Sequence, residues 1–154
     1  MEYFMELYEE IYQDMYRMAY YYMGNTQDAE DAVQETALTA YEHFGRLKNK
    51  DAFRPWIFKI LVNRCKKSLK RRSRRESLKE DPKTAYEPSL TAQAEMRELL
   101  GKLEDEERLI VSLAVFGGYR GEDIARLLNK NHSTVRSKYR RALKKLEAEL
   151  MESP

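Results

Sequence analysis

The C-terminal third of the chain, residues 109–150, carries three helical patterns separated by two breaks. Residues 109–116 are apolar, and Gly117 and Gly118 follow them, which predicts a helix end because glycine adopts the backbone angles that a helix stop requires. Residues 122–128 predict a short second helix, and residues 129–131 predict a tight turn. We expect Ser133 or Thr134 to cap a third helix with its side-chain oxygen. Together these patterns predict a helix-turn-helix.

The third helix of this motif has one apolar face and one basic face. Its apolar residues recur at spacings of three or four, which predicts a single buried stripe formed by Val135, Tyr139, Leu143, Leu146 and Leu150. Residues 132–145 contain six lysines or arginines and no acid, so the opposite face is basic. Small hydroxyl side chains lie near the helix N-terminus, where such a helix enters the major groove and where its dipole favours phosphate. Although a basic helical face can simply be solvated, we favour DNA binding through Ser133, Thr134, Arg136, Ser137, Lys138, Arg140, Arg141 and Lys144.

Charge is strongly segregated in the N-terminal half. Residues 1–45 contain one basic and ten acidic residues, a net charge of −9, whereas residues 46–75 contain thirteen basic residues and one acid, a net charge of +12. An acidic element followed by a basic one predicts two different partners, one of which is nucleic acid.

The acidic element contains two predicted helices, at residues 3–23 and 27–44. On the second helix, one stripe at spacings of i, i+3, i+4 and i+7 consists of Asp31, Gln34, Glu35 and Leu38. An acidic stripe with an exposed leucine is suited to docking on a basic partner helix. The carboxylates also allow a small metal-dependent enzyme, but His43 is the helix's lone histidine and the chain has no glycine-rich phosphate loop. We therefore expect a protein-interaction face, with no metal, cofactor or catalytic residue.

The basic element begins with a polar loop at residues 45–51 and continues as a helix from Phe53 to about residue 72, with Pro55 tolerated in its first turn. A loop with asparagine and lysine beside a dense basic helix can bind phosphates and hold an unstacked base. We predict nucleic-acid contacts from Lys48, Asn49, Lys50, Arg54, Lys59, Asn63, Arg64, Lys67, Lys70 and Arg71.

The overall pattern predicts an all-α fold of two small helical domains, at residues 1–74 and 92–154, joined by a flexible linker at residues 75–91 that contains Pro82 and Pro88. One cysteine, Cys65, excludes an internal disulfide framework and suits a reducing cytoplasm. No apolar run approaches the ~20 residues of a membrane span, and the acidic N-terminus lacks a secretion signal. We expect a cytoplasmic protein that neither inserts into membranes nor uses a small-molecule substrate.

Two parts of the sequence resemble one protein family. The segments DAEDAVQETALTAYEHF and FRPWIFKILVNRCKK resemble region 2 of the extracytoplasmic-function (ECF) sigma factors of bacterial RNA polymerase, and residues 103–150 resemble region 4. The resemblance implies a non-enzymatic specificity subunit that binds core polymerase and starts transcription at selected promoters. Asp31, Gln34 and Glu35 match the residues that dock on the coiled coil of the largest polymerase subunit.

The same resemblance implies two roles in promoter recognition. The loop at residues 45–51 and the helix at residues 56–72 match the segment that recognises and melts the −10 element, with Asn63 aligned to a DNA-contacting asparagine. The helix from Ser133 to Lys145 matches the reader of the −35 element. An anti-sigma factor is a typical partner in the family. A stand-alone transcriptional regulator is the alternative, but it leaves the acidic stripe and the basic helix unexplained and predicts tight duplex binding without polymerase.

Overall fold

The computed structural model describes residues 2–78 and 91–152, and within these ranges the chain is helical with no β-strand. The predicted all-α fold is therefore confirmed. The helices are α1 (Glu2–Met23), α2 (Thr26–His43), α3 (Phe53–Leu78), α4 (Ala92–Leu100), α5 (Asp105–Val115), α6 (Gly121–Leu128) and α7 (His132–Glu152). Two short 3₁₀ turns, Phe44–Arg46 and Lys50–Ala52, connect α2 to α3. None of the helices in the described ranges has the length and apolar character needed to cross a bilayer.

The first three helices form a bundle because each presents an apolar face to the other two. The buried face of α2 is built from small residues, among them Ala29, Ala32 and Ala40, which lets α1 and α3 approach closely. Larger side chains from α3, such as Phe58 and Leu61, fill the centre and are fully buried. The start of α2 is fixed by Asn25, whose side chain accepts a hydrogen bond from the Asp28 N–H at 2.8 Å.

In the C-terminal half, α5 is buried along most of its length and contacts α6 and α7. Two left-handed residues make the sharp turns of this half. Gly118, with φ of +73°, reverses the chain after α5, and Asn129, with φ of 54°, ends α6. Asparagine tolerates this conformation better than other residues with a Cβ atom, so Asn129 suits the tight turn between the helices. The helix-turn-helix predicted from the sequence is therefore formed by α6 and α7.

The two halves share one hydrophobic core. Side chains from α1 pack in the same cluster as Leu109, Ile110 and Leu113 of α5. The rings of Tyr21 and Phe116 stack across the junction with centroids 4.0 Å apart. The buried Arg108 guanidinium donates to the Tyr22 carbonyl oxygen at 2.8 Å, beside the C-terminus of α1. The two predicted domains are thus packed together in this structure.

The α3 helix is longer than the sequence pattern predicts. It continues to Leu78 instead of ending near residue 72, so the first part of the predicted linker is helical. The sequence pattern missed this extension because residues 73–75 are polar and exposed and add no apolar period, although arginine remains a good helix former. Arg72 anchors it by donating to the Met23 carbonyl oxygen at 2.7 Å and to Asp28 at 3.1 Å. Residues 79–90 of the predicted linker lie outside the described residues.

Two predictions for α7 were wrong in detail. The helix begins at His132, so Ser133 and Thr134 lie inside its first turn and do not precede it as caps. The buried stripe contains Val135 and Ala142, whereas Leu143 and Leu150 are 42% and 63% exposed. The face of α7 that packs on the core carries Val135, Tyr139, Ala142 and Leu146, and Leu143 lies to one side of it.

Candidate nucleic-acid and polymerase interfaces

The outer face of α7 is a continuous basic surface. It is formed by side chains that are exposed to solvent and lie opposite the buried Val135 and Ala142: Ser133, Arg136, Ser137, Arg140, Arg141 and Lys144. Thr134 is half-buried at the N-terminal end of the same helix. The absence of acids between residues 132 and 145 leaves the field of these cations unopposed on this face. The arrangement suits phosphate binding together with base contacts from the first turns of the helix.

Not all basic side chains of α7 belong to that surface. Lys138 donates to Glu106 of α5 at 2.7 Å, and Lys145 donates to the buried Glu107 at 2.8 Å. Burial raises the pKa of each of these carboxyl groups, but the lysine hydrogen bonds and charges outweigh it, so the pKa of both lies below its usual value. In this structure, these two lysines hold α7 on α5.

The basic face of α3 is the second cationic surface. The side chains on it that are exposed to solvent include five residues predicted from the sequence to contact nucleic acid: Lys59, Asn63, Lys67, Lys70 and Arg71. Arg64 lies at its edge, where it donates to Thr39 at 3.2 Å and pairs with Glu35 at 3.3 Å. One edge of this cationic face therefore lies beside the acidic stripe of α2.

The loop between α2 and α3 is held in shape by one of its own lysines. Lys50 donates to the carbonyl oxygens of Phe44 at 2.9 Å and Leu47 at 2.8 Å, and its ammonium lies 3.8 Å from the centre of the Phe44 ring. Asn49 accepts from the Asp51 N–H at 3.0 Å and so caps the second 3₁₀ turn, while Lys48 is exposed. Lys50 thus serves the loop fold in this conformation.

Arg54, a further predicted nucleic-acid contact, connects the two halves of the protein. It pairs with Asp14 at 3.1 Å and also donates to the Gly117 carbonyl oxygen at the end of α5. Its guanidinium lies 5.0 Å from the centre of the Phe58 ring and 5.5 Å from that of Tyr119. While the two halves are packed together, Arg54 is engaged within the protein.

The acidic stripe of α2 faces solvent. Asp31, Gln34 and Glu35 are exposed, and Leu38 is exposed over 66% of its surface. Sequence reasoning missed Tyr41, which is 44% exposed and lies three residues beyond Leu38 on the same side of the helix. The helical spacing of the sequence could have identified Tyr41, since it continues the stripe at i+3 from Leu38. The face therefore combines negative charge with an exposed apolar centre.

The described residues contain no group of three or more His, Cys, Asp or Glu side chains placed to hold a metal ion. Cys65 is fully buried in the bundle of α1 to α3, and burial raises the pKa of its thiol to about 12. A protonated thiol with no access to solvent is a packing residue.

The two halves match two adjacent family models. The model for sigma-70 region 2 matches residues 7–75, and the model for sigma-70, region 4 matches residues 93–146. The chain is 34% identical over 140 residues to the ECF RNA polymerase sigma factor EcfG of Rhodopseudomonas palustris, covering 81% of this chain and 72% of that protein. The chain belongs to the ECF sigma factors. As an ECF sigma factor, it acts with RNA polymerase in promoter-specific transcription initiation.

Other proteins of the family agree with this assignment. The RNA polymerase sigma factor SigV of Bacillus subtilis is 28% identical over 142 residues, covering 87% of this chain and 82% of that protein. Two solved structures share the fold of this ECF sigma factor. CnrH in complex with the cytosolic domain of CnrY has a TM-score of 0.76 and 23% identity, covering 98% of this chain and 89% of that chain. The sigma factor RpoE in complex with the anti-sigma factor NepR from Bartonella quintana has a TM-score of 0.79 and 20% identity, covering 97% of this chain and 99% of that chain.

Proposed function

We propose that this ECF sigma factor binds core RNA polymerase through α2 and reads two promoter elements through α3 and α7. The observation that carries the proposal is the separation of three exposed surfaces: one acidic with an apolar centre and two basic. The proposed domains are residues 1–74 and 92–154, joined by residues 75–91. The proposed role is that of a non-catalytic specificity subunit, which acts in the bacterial cytoplasm where the polymerase works.

The polymerase-binding surface in this proposal consists of Asp31, Gln34, Glu35 and Leu38, docked on the coiled coil of the largest subunit. Leu38 supplies apolar area at the centre of the contact, and the surrounding charges guide a basic partner and fix the register. Glu35 pairs with Arg64 in the free protein, and the two side chains are 58% and 37% exposed. Because a pair exposed to this extent contributes little, Glu35 can exchange Arg64 for a polymerase cation at small cost.

The −10 element is proposed to bind the exposed face of α3 and the loop before it. Lysines and arginines on a helix bind phosphates and track the backbone of a separated strand, while stacking and hydrogen bonding hold an unpaired base. Asn63 is the proposed base contact, because an exposed amide can both donate to and accept from a base edge. The proposed phosphate contacts are Lys48, Lys59, Lys67, Lys70 and Arg71, with Arg54 and Arg64 joining them when their internal partners are released.

The −35 element is proposed to bind α7 in the major groove of duplex DNA. Its first turns contact base edges, and the cations further along the helix contact phosphates. The proposed contacts are Ser133, Thr134, Arg136, Ser137, Arg140, Arg141 and Lys144.

The packed arrangement must open for both elements to be read at once. The short α6 helix contacts both α3 and α7, so the axes of those two helices lie no more than about 20 Å apart there, at about 10 Å per packed pair. The centres of the −10 and −35 elements are about 25 base pairs apart, or about 85 Å of straight duplex at roughly 3.4 Å per pair. We therefore propose that the free chain is closed and that core polymerase separates its halves. An anti-sigma factor is a further proposed partner, on the precedent of the RpoE–NepR complex.

Two sets of substitutions test these assignments and serve as controls for each other. Gln34→Ala with Glu35→Ala is expected to abolish core binding, and Arg140→Ala is expected to lower promoter activity with core binding unchanged. Core affinity is measured by fluorescence with labelled polymerase, promoter activity by abortive transcription, and folding by circular dichroism. An unchanged core affinity in the first variant argues against the docking surface, and lost core binding in the second argues against the role of α7. Tight selective duplex binding by the free chain, unaffected by core, favours a stand-alone regulator.

A further inference from the structure

The basic residues of α7 fall into two arcs around the helix. An α-helix turns by about 100° per residue, so Lys138 and Lys145, seven residues apart, lie almost on one line. Arg136, Arg140 and Lys144 follow each other at spacings of four and form a different line, which faces solvent. The first line faces the N-terminal turn of α5, where Glu106 and Glu107 accept hydrogen bonds from Lys138 and Lys145. Basic sequence alone therefore overstates the number of cations available to DNA.

Glu106 joins three parts of region 4 through one carboxylate. Its Oε2 atom accepts from Lys138 of α7 at 2.7 Å, and its Oε1 atom pairs with Lys130 in the turn between α6 and α7. The side chains of Glu106, Lys130 and Lys138 retain only 31%, 33% and 28% exposure. Charges that are about two-thirds buried are screened less by salt and water than a surface pair, so this contact is stronger than most surface contacts.

We infer that Glu106 is a positioning residue for promoter reading and that Lys138 is its anchor on α7 rather than a DNA contact. Lys138 follows Ser137 directly and lies one turn beyond Thr134, so holding it on α5 fixes the rotation of the helix segment that reads bases. The Lys130 contact fixes the preceding turn by the same carboxylate. This inference rests on the proposed reading of the −35 element by α7, and it removes Lys138 from the DNA contacts predicted by the sequence.

Lys138→Met and Lys144→Met remove the same charge but are expected to change the salt dependence of DNA binding differently. Each phosphate neutralised by a protein cation contributes about 0.9 to the slope of log binding constant against log salt. For polymerase carrying this sigma factor, Lys144→Met is expected to reduce the slope on promoter duplex by about 0.9. Lys138→Met is expected to leave the slope unchanged and to narrow the affinity ratio between a promoter with its −35 element and one with that element substituted. Equal slope reductions in the two variants overturn the inference.

Removing the carboxylate charge gives the complementary test. Glu106→Gln releases Lys130 and Lys138, which then reach phosphates, so the salt slope is expected to steepen by up to about 1.8 for two added contacts. The affinity ratio between matched and substituted −35 elements is expected to fall. Adding Lys138→Met to Glu106→Gln should remove about half of the extra slope. The matched control is Glu95→Gln, an exposed acid on α4 that makes the same change in charge.

The possible results distinguish a failure of the role given to Glu106 from a failure of the proposed −35 reading by α7. If Glu106→Gln behaves like Glu95→Gln in both slope and ratio while remaining folded by circular dichroism, Glu106 does not position α7. If Glu106→Gln fails to fold, the comparison of Lys138→Met with Lys144→Met decides the question. If polymerase with the unchanged chain does not discriminate between the two −35 elements, the proposed reading by α7 fails and the inference fails with it.

Discussion

Replacing Arg108 by methionine is expected to lower the free energy of unfolding by roughly 3 to 4 kcal/mol. The Arg108 side chain is 9% exposed and donates to the carbonyl oxygens of Tyr22 and Leu103 at 2.8 and 3.0 Å. Tyr22 lies in the last turn of α1, where carbonyl groups lack helical partners, so the guanidinium satisfies an otherwise free acceptor. Hydrogen bonds from a charged donor contribute about 1.5 kcal/mol or more each, and the aromatic face of Tyr22, 5.4 Å away, adds about 0.5 kcal/mol. The Asp105 pair adds little because that carboxylate is 73% exposed.

The assay is urea unfolding of the free protein followed by circular dichroism. Methionine keeps an unbranched apolar stem like that of the arginine, so the main change is the loss of the guanidinium. A loss of this size corresponds to a fall of roughly 6 to 15 °C in Tm for a chain of this length. Arg126→Met is the control, since its side chain is 77% exposed and lies 3.8 Å from Asp123; it should change the free energy by less than about 0.5 kcal/mol. A loss below about 1 kcal/mol for Arg108→Met refutes the reasoning that the hydrogen bonds of this buried guanidinium stabilise the fold.

The remaining predictions concern pH, thiol chemistry and the separation of the two halves. Burial raises the pKa of Glu106 and Glu107, but their lysine partners lower it by more, so the folded pKa of both lies below the unfolded value of about 4.3. The stability that these carboxylates contribute is therefore present above the unfolded pKa and is lost as the pH falls through the folded pKa. Urea unfolding should show that the free energy of unfolding falls at acid pH, and that it falls less in Glu107→Gln than in the unchanged protein. Equal pH dependence in these two proteins contradicts the role given to Glu107. Cys65, buried with a thiol pKa of about 12, should react with a disulfide reagent only as the protein unfolds, and rapid reaction in native buffer counts against its burial. Spin labels on Ser73→Cys and Glu147→Cys should move apart by tens of ångströms when core polymerase is added, because the two promoter elements that the halves read are about 85 Å apart on straight duplex. An unchanged distance between the labels rules out opening.

Local sequence patterns predicted most of the helical structure because helix periodicity and turn residues are local signals. Gly117 and Gly118 end α5, and the exposed stripe of α2 lies on the side opposite its small buried residues. The continuation of α3 to Leu78 was missed because the residues after Arg72 carry no apolar period. The exposure of Leu143 was missed because spacing alone does not reveal which helix lies opposite each residue.

Contacts between distant segments account for the parts that the sequence did not predict. Arg54 and Lys138 have the same sequence character as neighbouring exposed cations, but each has partners that only the tertiary fold brings close. One feature of the sequence does indicate that the two halves pack together. The C-terminal half of α1 is apolar on more than one side, and Met18 and Tyr22 are buried in addition to Met15. A helix with apolar residues around most of its circumference is covered on two sides.

Promoter opening with core RNA polymerase tests directly whether this chain is a promoter-specific initiation factor. Core polymerase is mixed with a library of duplex fragments with and without this chain, and strand separation is detected by permanganate reactivity of unpaired thymines. A small set of fragments is expected to open only when both the chain and core polymerase are present, and these fragments should share two elements at fixed spacing. Opening that does not depend on the chain, or selective DNA binding by the chain that core polymerase does not change, contradicts its assignment as a promoter-specific initiation factor.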